Sequence, residues 1–450
     1  MRALRVLITN NTLGIRAGSE LYVRDLATAL LARGHTPIAF STVLGDVARE
    51  LRAATVPVVD DLDALGAPPD VIHGQHHLET MTALLRFPGV PAVYFCHGWM
   101  PWEEAPPRFP RIHRYVAVDQ TCRDRLVFEH GIPEDRVRVL LNFVDLDRFV
   151  PRDPLPDRPR RALVFSNGAS EQTHVPAARA ACEAAGIALD VIGASSGNAT
   201  AHPETVLGGY DLVFSKGRSA IEALAVGAAV VLCDAEGAGP LVTTAGFDRL
   251  RALNFGIRAR PDPVTADVLA REITRYDPED AAQVSRRIRA EGGREATVDE
   301  IVAVYREVLA APAGADEDES IAAARYLRWL GPFLKRHVRS LEVYARDARD
   351  EGDRLRASAD EVRAECDGLR ARLAALEAEH RRESAASADW RERATRAQMD
   401  AAHLVAERDR LAAELAYFAG SKTIRVRDRI LGTPLLGALV RQLLGRRRVA

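Results

Sequence analysis

The chain has 450 residues, too many for one compact core, and its 61 basic and 63 acidic residues leave a formal net charge of −2. Hydrophobic residues at 47% and charged residues at 28% exclude a disordered or collagen-like chain, and the near-neutral balance gives no field that would hold polyanionic nucleic acid. Five scattered cysteines (Cys96, Cys122, Cys182, Cys233 and Cys366) form no CxxC pair, so neither a disulfide framework nor a structural zinc site is expected and a reducing cytoplasm fits best.

The opening MRALRVLITNN reads as a strand rather than a signal peptide, and no stretch reaches the roughly 18 uncharged apolar residues that cross a bilayer. Over residues 1–150 the runs RVLITN, TPIAFST, DVIHGQ, AVYFCHG, RYVAVD and RVRVLLN alternate with helix-period text. One such stretch is ELYVRDLATALLARGH, where Leu21, Leu26, Leu30 and Leu31 share a face. That alternation predicts a parallel sheet wrapped by helices. The proline- and arginine-rich text PRDPLPDRPRR over 151–161 reads as a linker. The pattern restarts with ALVFSN, ALDVIG, DLVFSK and AVVLCD, predicting a second α/β domain over 162–311. The fold class is therefore α/β, with two Rossmann-like domains facing a cleft at the carboxyl ends of their strands.

An acidic linker and helix are expected over 312–340, followed by helical text to residue 418. From Leu341 small or apolar residues recur in steps of four and three: Ala345, Ala348, Gly352, Leu355, Ala359, Val362, Cys366, Leu369, Leu373 and Leu376. This heptad seam passes through His380, Glu383 and Ser387 and re-emerges in register at Trp390, predicting a coiled coil on the order of 110 Å long with a weak middle. The other reading of the same text is a single solvated helix. Over 419–450 eight basic residues stand against Asp428 alone, interleaved with Leu435, Leu436, Leu439, Leu443 and Leu444. A basic amphipathic tail of this kind suits an anionic membrane surface, or else packs on the enzyme body.

Chemistry concentrates at two turns. In DLVFSKGRSAIEALAVGAAVVLCD a glycine turn opens a helix, so the amides of Gly217, Arg218 and Ser219, flanked by Lys216 and Arg218, are expected to receive an anion such as a diphosphate. Glu222, one turn on, either accepts hydrogen bonds from ribose hydroxyls or pairs with Arg218 at i,i+4; periodicity leaves both open. In NNTLGIRAGSELYVRDL, Gly14 and Gly18 precede a helix that Ser19 can cap, with Glu20 in its first turn. His97 ends one strand and His73, His76 and His77 end another, both at the carboxyl edge of the first sheet. Such histidines donate to developing charge or sugar hydroxyls, or serve packing.

The block IEALAVGAAVVLCD resembles the EAMAxGxPVV signature of family 4 glycosyltransferases, retaining enzymes of the GT-B fold. RAGSELYVRDLATALLARGH, VYFCHG and RYVAVDQTCRDRLVFEHGIPEDRVRVLLNFVDLDRF resemble three further blocks of that family, so the resemblance covers about 1–311. It implies that Glu222 holds the nucleotide ribose, that the Gly217 turn receives the diphosphate, that His97 sits beside the transferred sugar as the catalytic residue, and that Gly18 faces the sugar-phosphate. It implies a nucleotide-diphosphate-sugar co-substrate, no cofactor and no metal. Two departures stand out: Phe214 occupies the place of the family's second glutamate, and SNGASEQ lacks its basic residue, which Lys216 and Arg218 would replace. The expected function is retaining transfer of a hexosyl-type sugar to a lipid-linked or polysaccharide acceptor in surface polysaccharide assembly. The enzyme would sit at the inner face of the plasma membrane through its tail, as a homodimer or with a partner coiled coil. A non-catalytic tethered scaffold and another sugar-nucleotide enzyme such as an epimerase are the alternatives.

Overall fold

The computed structural model describes residues 2–311 and 318–420, without the side chains of 418–420. Six residues of the expected acidic linker, 312–317, and the expected tail from 421 on lie outside the described residues. The chain divides into two compact units, one over 1–333 and one from Leu334 on.

The first unit contains both expected sheets. Strands β1 (Arg5–Thr9), β2 (Thr36–Phe40), β3 (Val58–Val59), β4 (Val71–Gln75), β5 (Ala92–Cys96), β6 (Ile112–Ala117) and β7 (Val137–Val139) form a seven-stranded sheet in the order β3-β2-β1-β4-β5-β6-β7. All its pairings are parallel. A parallel sheet is covered on both faces, which is why its strands read as unbroken apolar runs. Helices α1 (Gly18–Ala32) and α2 (Asp46–Ala53) cover one face, and α3 (His77–Arg86) covers the other; a short α4 (Gln120–Asp124) follows β6.

The second sheet has the order β12-β11-β10-β8-β9, built from β8 (Arg161–Phe165), β9 (Ala188–Ile192), β10 (Leu212–Ser215), β11 (Ala229–Asp234) and β12 (Gly237–Leu241). Only β12, which no sequence pattern announced, runs antiparallel, against β11. Helices α5 (Val175–Ala184), α6 (Gly217–Val226), α7 (Phe247–Ala252), α8 (Ala266–Ile273) and α9 (Pro278–Glu291) clothe it. α6 ends on Gly227 at φ 101°, the left-handed cap that glycine adopts without cost, and this turn returns the chain into β11.

The connection over 151–161 is held rather than loose: Arg152 pairs with Asp211 at 2.9 Å, and Arg161 already belongs to β8. The expected second domain also ends early. Helix α10 (Arg294–Ala310) leaves it and covers the first sheet, burying Val298, Ile301, Val302, Tyr305 and Val308 beside Val93, Phe95 and Val116. Burial of side chains of this size stabilises by roughly 1.5–3 kcal/mol each, so α10 belongs energetically to the first sheet.

Helix α11 (Glu319–Gly420) then begins on the opposite face. Its first turns dock through Arg111, whose guanidinium holds both oxygens of Glu319 at 2.6 and 3.0 Å, through Ala322, and through Trp102 stacked on Phe333 at 4.8 Å. From Leu334 to residue 417 the helix is largely exposed, and its seam leucines face outward. Among the described residues no helix is long and apolar enough to cross a membrane.

Candidate active site

The carboxyl ends of the two sheets face one cleft of about 900 Å³. The first sheet contributes Asn11 after β1, Gly18, Ser19 and Glu20 at the start of α1, His76 after β4, and His97 to Glu104 after β5. The second contributes Ser166 to Gly168 after β8, Lys216 to Ser219 between β10 and α6, Asp234 to Glu236 after β11, and the segment from Asn254 to Arg260.

On the first wall His97 sits edge-on to Tyr22 at 4.4 Å. Its backbone N–H donates to Glu104 Oε2 at 2.8 Å, and its buried Nε2 has no partner among the described residues. Burial pushes its pKa down to about 4, so the imidazole is neutral at pH 7 and offers that nitrogen to a ligand. His76 adopts φ 59° and ψ 135°, a left-handed backbone that a non-glycine residue holds only when its surroundings impose it. They do: Asn11 N–H donates to its Nδ1 at 3.1 Å, which leaves Nε2 facing Glu104 Oε1 at 3.5 Å. Burial opposes a charge on His76, but the Glu104 carboxylate outweighs it and raises its pKa. Glu104 is buried too, yet the His76 hydrogen bond holds its carboxyl below the usual range. Glu20 has the opposite balance: burial raises its pKa against the hydrogen bond from Ser19 Oγ at 3.0 Å.

The second wall is built of amides and ion pairs. Lys216 is the N-cap of α6, and the helical ladder begins with Ala220 N–H on the Lys216 carbonyl, so the amides of Arg218 and Ser219 have no acceptor within the helix. Gly217 lies at φ 52°, and its N–H is already spent on the Phe255 carbonyl at 3.0 Å. The turn therefore offers an anion two amides rather than the expected three. Lys216 pairs with Asp234 and reaches Glu236 at 3.5 Å, while Arg260 holds Asp234 at 2.8 Å.

A buried chain of charges crosses from one wall to the other. Arg218 Nε donates to Glu222 at 2.9 Å and its Nη2 donates to Asp25 on α1. Asp25 in turn takes Arg24 at 2.6 Å, and Arg24 reaches Glu50 at 3.1 Å. Burial disfavours an ionised Asp25, yet Arg218 and Arg24 hold it below the usual value. For Glu222 burial wins over Arg218 and the pKa is raised. Asn167 Nδ2 also donates across the cleft to the Arg16 carbonyl at 3.0 Å.

Of the sequence-derived residues, His97, Gly18, Lys216, Gly217, Arg218 and Ser219 line the cleft. Glu222 does not: it is buried in an i,i+4 ion pair with Arg218 rather than lying on a solvated face. Gly14 lies outside as well, against Gly45, whose added Cβ would stand 2.5 Å from the Gly14 carbonyl oxygen, while a Cβ on Gly14 would meet the Thr12 hydroxyl at 2.9 Å. Ser19 does not cap α1, which starts one residue earlier from Ala17. His73 bonds Tyr305 of α10 at 2.6 Å, and His77 bonds Tyr326 of α11 at 2.7 Å, so both serve packing. Phe214 is fully buried within the second sheet and does not line the cleft.

Sequence reading missed Glu104, His76 as the strained partner, Asp234, Arg260 and Asp25. Asp234 had a signal, as the last residue of a predicted strand whose carboxyl end faces the cleft. Asp25 had none, since its partner lies 193 residues away. Among the described residues no group of three or more His, Cys, Asp or Glu is placed to hold a metal ion.

Residues 58–148 match the family model described as Glycosyltransferase Family 4. No curated protein matches the chain. Among solved structures the chain is similar to a glycosyltransferase from Rickettsia africae ESF-5, with 14% identity and a TM-score of 0.52 over 69% of this chain and 100% of that one. It is also similar to HepE from Anabaena, solved in complex with UDP and glucose, with 16% identity and a TM-score of 0.50 over 67% of this chain and 99% of that one. The two sheets with their flanking helices share the GT-B fold of these two structures.

Proposed function

We propose that this protein transfers a hexosyl-type sugar from a nucleoside-diphosphate-sugar to a lipid-linked or polysaccharide acceptor, with retention of the anomeric configuration. The observation that carries the reading is the pairing of unlike walls: the amides of Arg218 and Ser219 beside Lys216 and Arg260 face a neutral His97 across one cleft. Departure of a nucleoside diphosphate leaves negative charge on phosphate and positive charge on the sugar ring. Oriented amides and cations answer the first, and an imidazole held against Tyr22 orients the second. The family match over 58–148 and the UDP and glucose bound to HepE support this assignment.

Arg218 must exchange Glu222 or Asp25 for phosphate when the donor enters, and the exchange frees Glu222 toward the ribose. No metal or resident cofactor is needed in this scheme. The helix from Leu334 on joins the enzyme to a second copy or a partner helix. The basic tail would bring it to the inner face of the plasma membrane, in surface polysaccharide assembly.

A non-catalytic, sugar-nucleotide-binding scaffold is the second reading, favoured by the closure of Glu222 within its ion pair. The test is a donor screen on the full chain with UDP-, GDP- and dTDP-sugars, by thermal shift and by nucleotide release with acceptor extract. One donor that raises the melting temperature and turns over, with the product anomer matching the donor, is the expected result. Binding without turnover selects the scaffold, and absence of binding overturns both.

A further inference from the structure

We propose that residues 341–379 of the long helix pair with the same residues of a second copy of this chain, in parallel and in register. The inference is independent of the reaction assigned to the cleft. It starts from a face that is apolar and uncovered: Leu355, Leu369 and Leu376 are 63%, 54% and 62% exposed, all on the heptad seam. A helix that exposes a row of leucines at heptad spacing is completed by another helix.

The charges beside the seam identify which helix. With Cys366 and Leu373 at positions a and Leu369 and Leu376 at positions d, the g positions include Glu351, Glu365 and Arg372, and the e positions include Arg356, Arg370 and Glu377. In a parallel in-register pair each g residue meets the partner's e residue five positions on. Glu351 then meets the partner's Arg356, Glu365 the partner's Arg370, and Arg372 the partner's Glu377. Each contact joins opposite charges, and none of the remaining g–e pairs in the segment joins like ones.

The sign reversal at Arg372 and Glu377 fixes the register. A stagger of one heptad sets Glu365 against the partner's Glu377, and Arg372 against the partner's Arg370. An antiparallel pair sets e against e, where Arg349, Arg356, Arg363 and Arg370 meet their own kind. Within the single helix Arg356, Arg363 and Arg370 already touch Asp353, Asp360 and Asp367 at 2.8, 2.9 and 3.0 Å. These exposed i,i+3 pairs are weak and leave donors of each guanidinium for the partner.

Cys366 reports on the arrangement. It stands at an a position and is exposed, whereas the other four cysteines are buried. In register it faces its own counterpart, and a one-heptad shift would place it against Ala359 or Leu373 instead. The experiment takes the full chain, measures its mass by sedimentation equilibrium, and then oxidises it with diamide, which accepts the two electrons and two protons released as two thiols join. Expected are a dimer and a covalent dimer band that is absent in Cys366→Ser. Arg372→Glu, which opposes the partner's Glu377, should weaken the dimer about tenfold, and adding Glu377→Arg should restore it. A monomer or trimer, a dimer that does not cross-link through Cys366, or a dimer indifferent to Arg372→Glu would each overturn the proposal.

Discussion

The two walls of the cleft meet one space by opposite means. The first sheet presents a neutral imidazole, an aromatic ring and a strained histidine locked by a buried carboxylate. The second presents helix-start amides and cations, each cation already matched by a carboxylate. One wall is therefore set up to orient an uncharged group and the other to exchange one anion for another. Arg218, held by Asp25 from the first sheet and Glu222 from the second, is the side chain that both walls share.

That contrast breaks most sharply at the shared residue. Arg218→Ala leaves the buried Glu222 without its cation and Asp25 with Arg24 alone, and removing one partner of a buried pair costs about 3–5 kcal/mol. Urea unfolding should register a loss of that size, and a loss below about 1 kcal/mol would show that the crossing charges do not hold the walls together. Next comes the orienting wall. In the proposed scheme the imidazole orients the sugar and not the phosphates, so His97→Gln should lower turnover about 10²-fold or more while nucleotide affinity stays within about twofold. Equal losses in both would place His97 on the donor's anionic part.

Acidification distinguishes the walls by stability. Burial pushes His77, beneath the first wall, down to about 4, so the folded chain leaves it neutral while the unfolded chain protonates near 6.5. Between those values the unfolded state binds more protons, and stability falls as the pH is lowered, by at most about 1.4 kcal/mol per unit from this residue. His76 opposes the trend: its raised pKa adds stability below its unfolded value that is lost as pH rises through the folded one. Unfolding at pH 7.5 and 5.5 should therefore show a decline on acidification that shrinks in His77→Leu. The smallest effect belongs to Gly217, at φ 52° with nothing within 4 Å of an added Cβ. Gly217→Ala should cost only the backbone strain, about 1–2 kcal/mol in the melting free energy.

How much of this could be read in advance follows from the range of each interaction. The strand runs read from the sequence correspond to β1, β2 and β4 to β11, because each carries enough apolar residues to announce itself locally, whereas the two-residue β3 and the glycine-rich β12 do not. The expected second domain runs to 311, whereas its last helix α10 covers the first sheet: Val298, Ile301 and Tyr305 reveal an apolar face but not which core that face covers. The spacing of Arg218 and Glu222 offers both a salt bridge and a ribose contact, and the charge chain in which the pair sits includes Asp25, 193 residues from Arg218. His76 and His77 are neighbours with the same side chain, yet the left-handed backbone at His76 turns one toward Glu104 and the other toward Tyr326. No local pattern carries that difference.

The claim at the centre of the account is that the second wall receives a nucleoside diphosphate at the start of α6. Isothermal titration of UDP, GDP and dTDP into the full chain and into Lys216→Ala tests it most directly, because Lys216 is partly exposed and its removal leaves the buried charge chain intact. One nucleotide should bind the native chain and lose about tenfold in affinity in the variant, the worth of one charge-assisted contact to phosphate. Equal affinity in both proteins would place the nucleotide elsewhere, and binding to neither would remove the sugar-nucleotide reading altogether.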